Sequence, residues 1–430
     1  MADLCDHGIA VRLLSPVIHM TEFFRVISAD QFIQLLGGFS RISCEHIPLD
    51  AALNRRVSEE IAALEDLPER ARSTVDGFAV RAEDTFGASD SIPALLQVVA
   101  SIPMGVMPDF SLRSGQAAQI PTGGFLPAGA DAVVMVEYTN PAGADEIEVT
   151  RPVTARTNVL EKGEDAGRGE ILLHAGKMIR AQEIGFLAAL GFQQAPVYRQ
   201  PKVAVISSGD ELVPIECKPV LGQIRDANGH SISALVRYAG SVPLFFEIVP
   251  DDARILSDTL EKALAEADVV TVSGGSSVGT RDLMVDVVSG LPNVEILAHG
   301  VAIRPGKPTL LARQRGKAII GLPGHPVSAL MVAQVFLTPF LQYLQGARLE
   351  KGPAGNRTEA VLASSVDSTI GLEEFVRVRL EQTPDGKRTA YPVFGKSGML
   401  STMVKANGIL TIPMSVEGYS KGEAVPVVEF

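Results

Sequence analysis

What this 430-residue sequence has little of narrows its chemistry before any motif is read. Its three cysteines, Cys5, Cys44 and Cys217, stand far apart with no CxxC pair. That spacing supports neither a zinc knuckle nor a disulfide framework and fits a reducing, cytoplasmic setting. Positive charge is short as well: 38 basic against 50 acidic side chains leave −12. General binding to nucleic acid or to an anionic membrane needs the opposite sign, although a local basic pocket stays open. No uninterrupted apolar run reaches the roughly 18 residues of a membrane helix. The N-terminus shows no charged-then-apolar export pattern. Also missing are GxxxxGKS or GxxxxGKT, GxGxxG, GxSxG and HExxH, so a P-loop nucleotidase, a dinucleotide dehydrogenase, a serine hydrolase and a zinc protease are all unsupported. The seven histidines are scattered, and only His325 stands in a turn rich in glycine and proline.

What is present is an ordinary globular composition, 46% hydrophobic and 20% charged, in a chain long enough for two to four domains. Residues 1–19 do not pattern with the neighbouring segment and read as a tail, with Met20 as an alternative start. "SADQFIQLL" reads as a helix capped by Ser28 or Asp30. "LLQVVASIPMG", "QIPTGGFLPAGADAVVMVEYT" and "EIEVTRPV" read as short strands divided by turns, and "RAQEIGFLAALG" returns to helix. This pattern predicts an elongated, discontinuous α+β linker domain over 20–60 and 150–199, with a β-rich domain over 61–149 inserted in it. Over 200–347 apolar strands alternate with amphipathic helices, "KVAVISSG", "GHSISALVRYAG", "PLFFEIVP", "DDARILSDTLEKALAEA", "DVVTVSGG" and onwards. Such alternation calls for an α/β domain with a mostly parallel sheet covered on both faces. From 350 to 430 the strands are short again, with "EEFVRVRL" alternating at period two, and a small barrel or sandwich is the economical reading.

Open parallel sheets bind ligands beyond the carboxyl ends of their strands. Three glycine-rich turns are expected there: "SGGSSVG", "RPGKP" and "GLPGHPVSAL". Glycine lets backbone approach a ligand, and free amides at a helix start attract an anion. One such turn is more often plain architecture than a site, whereas three at one edge point to a pocket for phosphate or another oxyanion. Its donors are expected from Ser273, Gly274, Gly275, Ser276, Ser277, Gly279 and Ser328, with Arg304 and Lys307 as cations. Carboxylates fall at corresponding ends: Asp210-Glu211, Asp251-Asp252 and Asp282. Acids beside an anion repel it unless a cation intervenes, so a phosphate-bearing substrate with Mg²⁺ is the sharper reading. The plainer one makes Asp251, Asp252 and Asp282 helix caps.

Eight motifs in register, from Ser73 to Pro413, closely resemble the molybdopterin molybdenumtransferase family, to which the gephyrin E domain also belongs. They are "STVDGFAV", "IPTGGFLPAGADAVVMVE", "GEDAGRGE", "SSGDEL", "SGGSSVGTRD", "RPGKP", "GLPGHPVSAL" and "SGMLSTMVKANGILTIP". The resemblance implies insertion of molybdate into adenylylated molybdopterin with release of AMP, by an elongated, Mg²⁺-dependent homodimer of four domains with its sites in clefts between subunits. Molybdopterin adenylyltransferase and maturation proteins for molybdoenzymes are the implied partners. Matched by motif, Asp76, Thr122, Asp165, Glu211, Asp252 and Asp282 are the candidate catalytic residues, with Glu211 and Asp282 as metal ligands. Arg304, Pro305, Gly306 and Lys307, then Pro323, Gly324, His325 and Pro326, are carried over as substrate-binding residues. The sequence departs from the family's pattern at His325, where asparagine is usual, at Arg304 (lysine), at Phe78 (tyrosine) and at Thr280-Arg281 (commonly an acidic pair). These departures bear on anion choice, tungstate against molybdate included. Molybdopterin adenylyltransferase and a non-catalytic, gephyrin-like scaffold are the alternative functions.

Overall fold

The computed structural model describes residues 26–274, 283–353, 355–382 and 386–430. The chain forms two compact units. One comprises the described residues up to Ser40 with Pro201–Gln342 and Leu349–Phe430, and the other Arg41–Gln200 with Tyr343–Arg348.

The first unit is built on a six-stranded sheet. Val242–Phe245, Lys202–Ser207, Val269–Ser273 and Lys317–Leu322 lie side by side and parallel, and Leu310–Gln314 and Val294–His299 complete the sheet antiparallel. Every residue of Val269–Ser273 is buried, as a strand covered on both faces must be. Helix Ala253–Glu266 turns Leu256, Leu260, Ala263 and Leu264 to the sheet, the i, i+4, i+7, i+8 spacing of one helical face. Each leucine buried to this degree contributes about 1.5–3 kcal/mol. The expected mostly parallel α/β domain is therefore present. "RPGKP" leads into the antiparallel strand Leu310–Gln314, and because Leu310 pairs with Gly321 that entrance lies at the carboxyl edge of the parallel strands.

Most of the helical run Pro326–Leu344, 19 residues with hydropathy 1.5, lies in this unit. By length and composition it could cross a bilayer, yet 83% of its most apolar window is buried inside the protein. Helix Ala29–Gly37 packs on it. Ser28 caps that helix through a reciprocal pair with Gln31, and its Phe32 lies 4.6 Å from Phe336, ring centre to ring centre.

The C-terminal strands resolve the choice between sandwich and barrel. Glu373–Gln382, Arg388–Pro392, Asn356–Leu362, Ala424–Glu429 and Gly408–Ile412 pair in sequence, and Gly408–Ile412 pairs back with Glu373–Gln382 to close a five-stranded barrel. Ile303–Arg304 adds in parallel to Glu373-Glu374, so the chain leading into "PGKP" is stitched to the barrel.

In the second unit a six-stranded sheet, ordered Ala132–Met135, Gly77–Val80, Gln116–Ile120, Ala94–Ser101, Glu146–Val149 and Thr139–Pro141, forms the β-rich part. Cys44–Pro48 paired with Gln194–Tyr198, together with helix Ala181–Ala189, forms the α+β part around Leu49, Val57, Ile179 and Leu187.

Candidate functional site

At the carboxyl edge of the parallel sheet the backbone of two strand ends comes into contact. The Ser208 amide donates to the Ser273 carbonyl at 2.8 Å, and Gly274 follows at φ +112. A Cβ at 274 would overlap the Ser208 carbonyl oxygen, so this position requires glycine on two counts. The loop after the next strand arrives alongside: a Cβ on Gly324 would sit 3.6 Å from the Gly274 Cα. Asn228 fixes this loop by donating from Nδ2 to the Gly324 carbonyl at 2.9 Å. The described end of strand Val269–Ser273, at Gly274, is thus adjacent to the Gly324 turn.

Not every expected donor faces open space. Ser273 and Ser328 are buried, and the Ser273 hydroxyl lies 3.4 Å from that of Ser207. The Val327 amide, near the start of the helix after Pro323 and Pro326, already donates to the Ser397 carbonyl at 3.0 Å. His325, exposed at the N-cap of that helix, makes no capping bond through its side chain. Gly275, Ser276, Ser277, Gly279 and Asp282, with Thr280 and Arg281, lie outside the described residues.

The carboxylates divide by role. Asp252, expected among the catalytic acids, is the N-cap of helix Ala253–Glu266: its Oδ1 accepts from the amides of Arg254 and Ile255, each at 2.9 Å. Its neighbour Asp251 faces the strand ends instead. Its Oδ1 accepts from the Ser208 hydroxyl at 2.9 Å, and its amide donates to Asp210 Oδ1 at 3.1 Å. The Glu211 carboxylate curls back over Gly209, where a Cβ would lie 2.7 Å from Oε2.

Beyond these strand ends lies a cavity of about 550 Å³, reached by Asp210 and by a carboxylate that no motif singled out, Asp226. Asp226 is 2% exposed and caps the amide of Gly229 through Oδ1 at 2.9 Å, while its Oδ2 has no partner. A second cavity, of about 370 Å³, opens where the sheet edge meets the barrel. Arg304, Pro305, Arg377 and Ser397 line it together with Glu374, whose carboxylate is 3.8 Å from Arg304 Nη1. Arg377 also went unrecognised in the sequence. Its Nη2 donates to the Gly395 carbonyl at 3.2 Å, and burial pushes its guanidinium below the ordinary arginine range. Gly306, at φ +118, packs its bare Cα against Val332 and Ile303, so Lys307 emerges exposed at the end of this turn.

In the second unit the structure joins two predicted residues. Asp76 Oδ1 accepts from the Thr122 amide at 2.7 Å and from its hydroxyl at 3.0 Å. The amide bond first, then the hydroxyl bond, holds the Asp76 carboxyl below its ordinary range, so it is an anion at neutral pH. A cavity of about 260 Å³ adjoins it, lined by Phe78, Ser101, Gln119 and Pro121. Asp165 is exposed on the turn that pairs with Leu67.

Among the described residues no three His, Cys, Asp or Glu side chains converge to cage an ion. The exposed pair Asp210 and Glu211 suits an ion that takes one or two protein carboxylates and completes its shell with water and phosphate, which is the habit of Mg²⁺.

Three family models match the chain: the MoeA N-terminal region (domain I and II) over residues 24–191, the "Probable molybdopterin binding domain" over 204–343, and the MoeA C-terminal region (domain IV) over 359–430. A molybdopterin molybdenumtransferase of Nostoc sp. is 38% identical over 316 residues, 73% of this chain and 72% of that one. Its namesake in Staphylococcus epidermidis is 31% identical over 390 residues, 89% of this chain and 90% of the other. The solved structure of a molybdopterin biosynthesis MoeA protein from Pyrococcus horikoshii aligns over 94% of this chain and all (100%) of its own, with a TM-score of 0.81 at 31% identity. Likeness of this degree in fold and in sequence, running through all three matched segments, means that the chain belongs to the molybdopterin molybdenumtransferase family.

Proposed function

We propose that this chain is a transferase of molybdenum cofactor synthesis that binds adenylylated molybdopterin, inserts molybdate at its dithiolene sulfurs and releases AMP. The observation that carries this reading is the pair of guanidiniums, Arg304 and Arg377, sharing one cavity with Ser397 at the carboxyl edge of the sheet. In a protein of net charge −12, two arginines lining one hollow, beside Asp367 and Glu374, give an oxyanion guanidinium donors there. Guanidinium groups hold oxyanions by paired, charge-assisted hydrogen bonds. Lys307, exposed on the same turn, adds a mobile cation for the pterin phosphate.

In this proposal Glu211 and Asp282 hold Mg²⁺ or the attacking water, and Asp210 and Asp251 set the backbone of that edge. Mg²⁺, when bound, screens the phosphate oxygens and makes the adenylyl phosphorus easier to attack. Asp76 with Thr122, and Asp165, act from the second unit, and the working form is a homodimer in the cytoplasm. The Asp76–Thr122 bonds support a fixed, ionised Asp76 as hydrogen-bond acceptor.

The decisive experiment incubates the purified protein with adenylylated molybdopterin, molybdate and Mg²⁺ and follows AMP. Release that requires molybdate is the expected result. Formation of adenylylated molybdopterin from ATP and molybdopterin would assign an adenylyltransferase instead, and no turnover in either direction would leave a scaffold. Arg377→Ala is expected to raise the molybdate concentration needed by at least about tenfold, the loss of one charge-assisted bond.

A further inference from the structure

The 550 Å³ cavity at the ends of Lys202–Ser207 and Val242–Phe245 has a character opposite to that of the arginine-lined one. Among the described residues lining it there is no lysine or arginine; Leu212, Ile248 and Phe245 supply apolar surface, and Asp210, Glu216, Asp226 and Glu247 supply carboxylates. Phosphate and molybdate are therefore poor occupants.

Two features indicate what does fit. The first is an unmet need for donors. Asp226, which lines the cavity, is buried to 2% exposure, yet its Oδ2 has no hydrogen-bond partner among the described residues. The orphaned atom is an acceptor, so the missing partner carries N–H or O–H groups. The second is an unused aromatic face. Phe245 is 51% exposed, with His230 against it at 5.2 Å between ring centres and 37° between planes. Phe245 also rests on the bare Cα of Gly229, where a Cβ would lie 2.8 Å from Phe245 Cε2, and this brings its ring beside Asp226.

A flat ring with amino hydrogens satisfies both features at once: it stacks on the aromatic face and gives its N–H to the buried carboxylate. We infer that this cavity seats a nitrogen heterocycle of the substrate, stacked on Phe245 beside His230 and hydrogen-bonded through an amino group to Asp226. The inference rests on the reading of the substrate as an adenylylated pterin, which carries two such rings, adenine and the pterin itself.

The test titrates the full chain with AMP and, separately, with 6-hydroxymethylpterin by calorimetry, comparing wild type with Phe245→Ala and Asp226→Asn. Phe245 is half exposed, so its truncation leaves the fold intact even if the change at buried Asp226 does not. Loss of about tenfold in affinity for one ring in Phe245→Ala is expected, the size of a lost base–aromatic stack. It should come with a raised KM for adenylylated molybdopterin and a nearly unchanged kcat. Loss confined to AMP assigns the adenine, and loss confined to the pterin assigns the pterin; either supports the inference. Wild-type protein that binds neither ring, or Phe245→Ala protein with unchanged ring affinities, overturns it. So does a Mg²⁺ affinity that Asp226→Asn abolishes while both rings still bind. Molybdate-dependent AMP release with unchanged ring affinities would remove the cavity assignment and keep the transferase; ring binding lost in Phe245→Ala, in a protein that releases no AMP, would do the reverse.

Discussion

At the scale of single residues, the strand-end acids divide into those that hold the fold and those that face the site. Asp252 spends its Oδ1 on two helix amides, so Asp252→Ala should cost about 1 kcal/mol of stability with kcat nearly preserved. Asp251→Ala should do the opposite: it releases Ser208 and lowers turnover with only a small change in melting temperature. Paired melting and AMP-release measurements on the two variants separate these roles, and reversed results would reassign both residues. Gly274→Ala should fail on stability alone, since its Cβ would overlap the Ser208 carbonyl at a φ of +112; about 1–3 kcal/mol is the usual scale for such strain. Motif spacing made Gly274 and Glu211 legible in the sequence. Asp226 and Arg377 were not, for physical reasons. A lone aspartate in "QIRDANG" carries no local sign that it will be buried with one oxygen unpaired, and an arginine in the alternating "EFVRVRL" looks like the solvent face of a strand. Only tertiary packing makes either residue unusual.

At the scale of elements, helix starts were readable because a cap and its partner lie within four residues of each other. Helix Ala181–Ala189 gives the sharpest consequence. Its N3 residue, Glu183, is 7% exposed; one carboxylate oxygen accepts the Arg180 amide at 2.9 Å and the other accepts Arg180 Nη2 at 2.6 Å. The Arg180 side-chain bond is the main reason the Glu183 pKa is held down to about 2, against burial, which pushes it up. A carboxylate depressed by folding stabilises the folded state at pH values above its unfolded pKa. That contribution is then lost as pH falls from near 4.5 towards about 2. Urea midpoints for the second unit should therefore drop across that acid window, and Glu183→Gln should flatten this part of the profile while lowering stability at neutral pH. An unchanged acid profile in Glu183→Gln would discard the assignment. Pairing between strands was less readable than helix starts. Register between strands leaves no mark on sequence, and barrel closure depends on Glu374 meeting Ile412, 38 residues on (412 − 374).

At the scale of the whole molecule, the alternation of strand and helix announced the α/β sheet, but the grouping of segments into two compact units depends on distant contacts. Lys351 is one of these. Its Nζ lies 2.9 Å from the Glu373 carboxylate, which is 3% exposed at the barrel, and 3.0 Å from Asp30 on the first helix. Burial works against the Lys351 charge, but the bonds to Glu373 and Asp30 outweigh it and raise the pKa. Lys351→Met would leave the buried Glu373 side chain without its cation and hydrogen-bond donor, at a cost of about 1–3 kcal/mol. Adding Glu373→Gln should recover part of that loss, because a neutral amide is less costly to bury than an unpaired charge. Multidomain chains need not melt in one step. Scanning calorimetry should show Lys351→Met lowering one transition, that of the sheet-and-barrel unit, while Glu183→Gln lowers the other. If both substitutions move a single shared transition by similar amounts, the two units melt as one cooperative body, and the acid sensitivity conferred by Glu183 must then extend to the strand-end site as well.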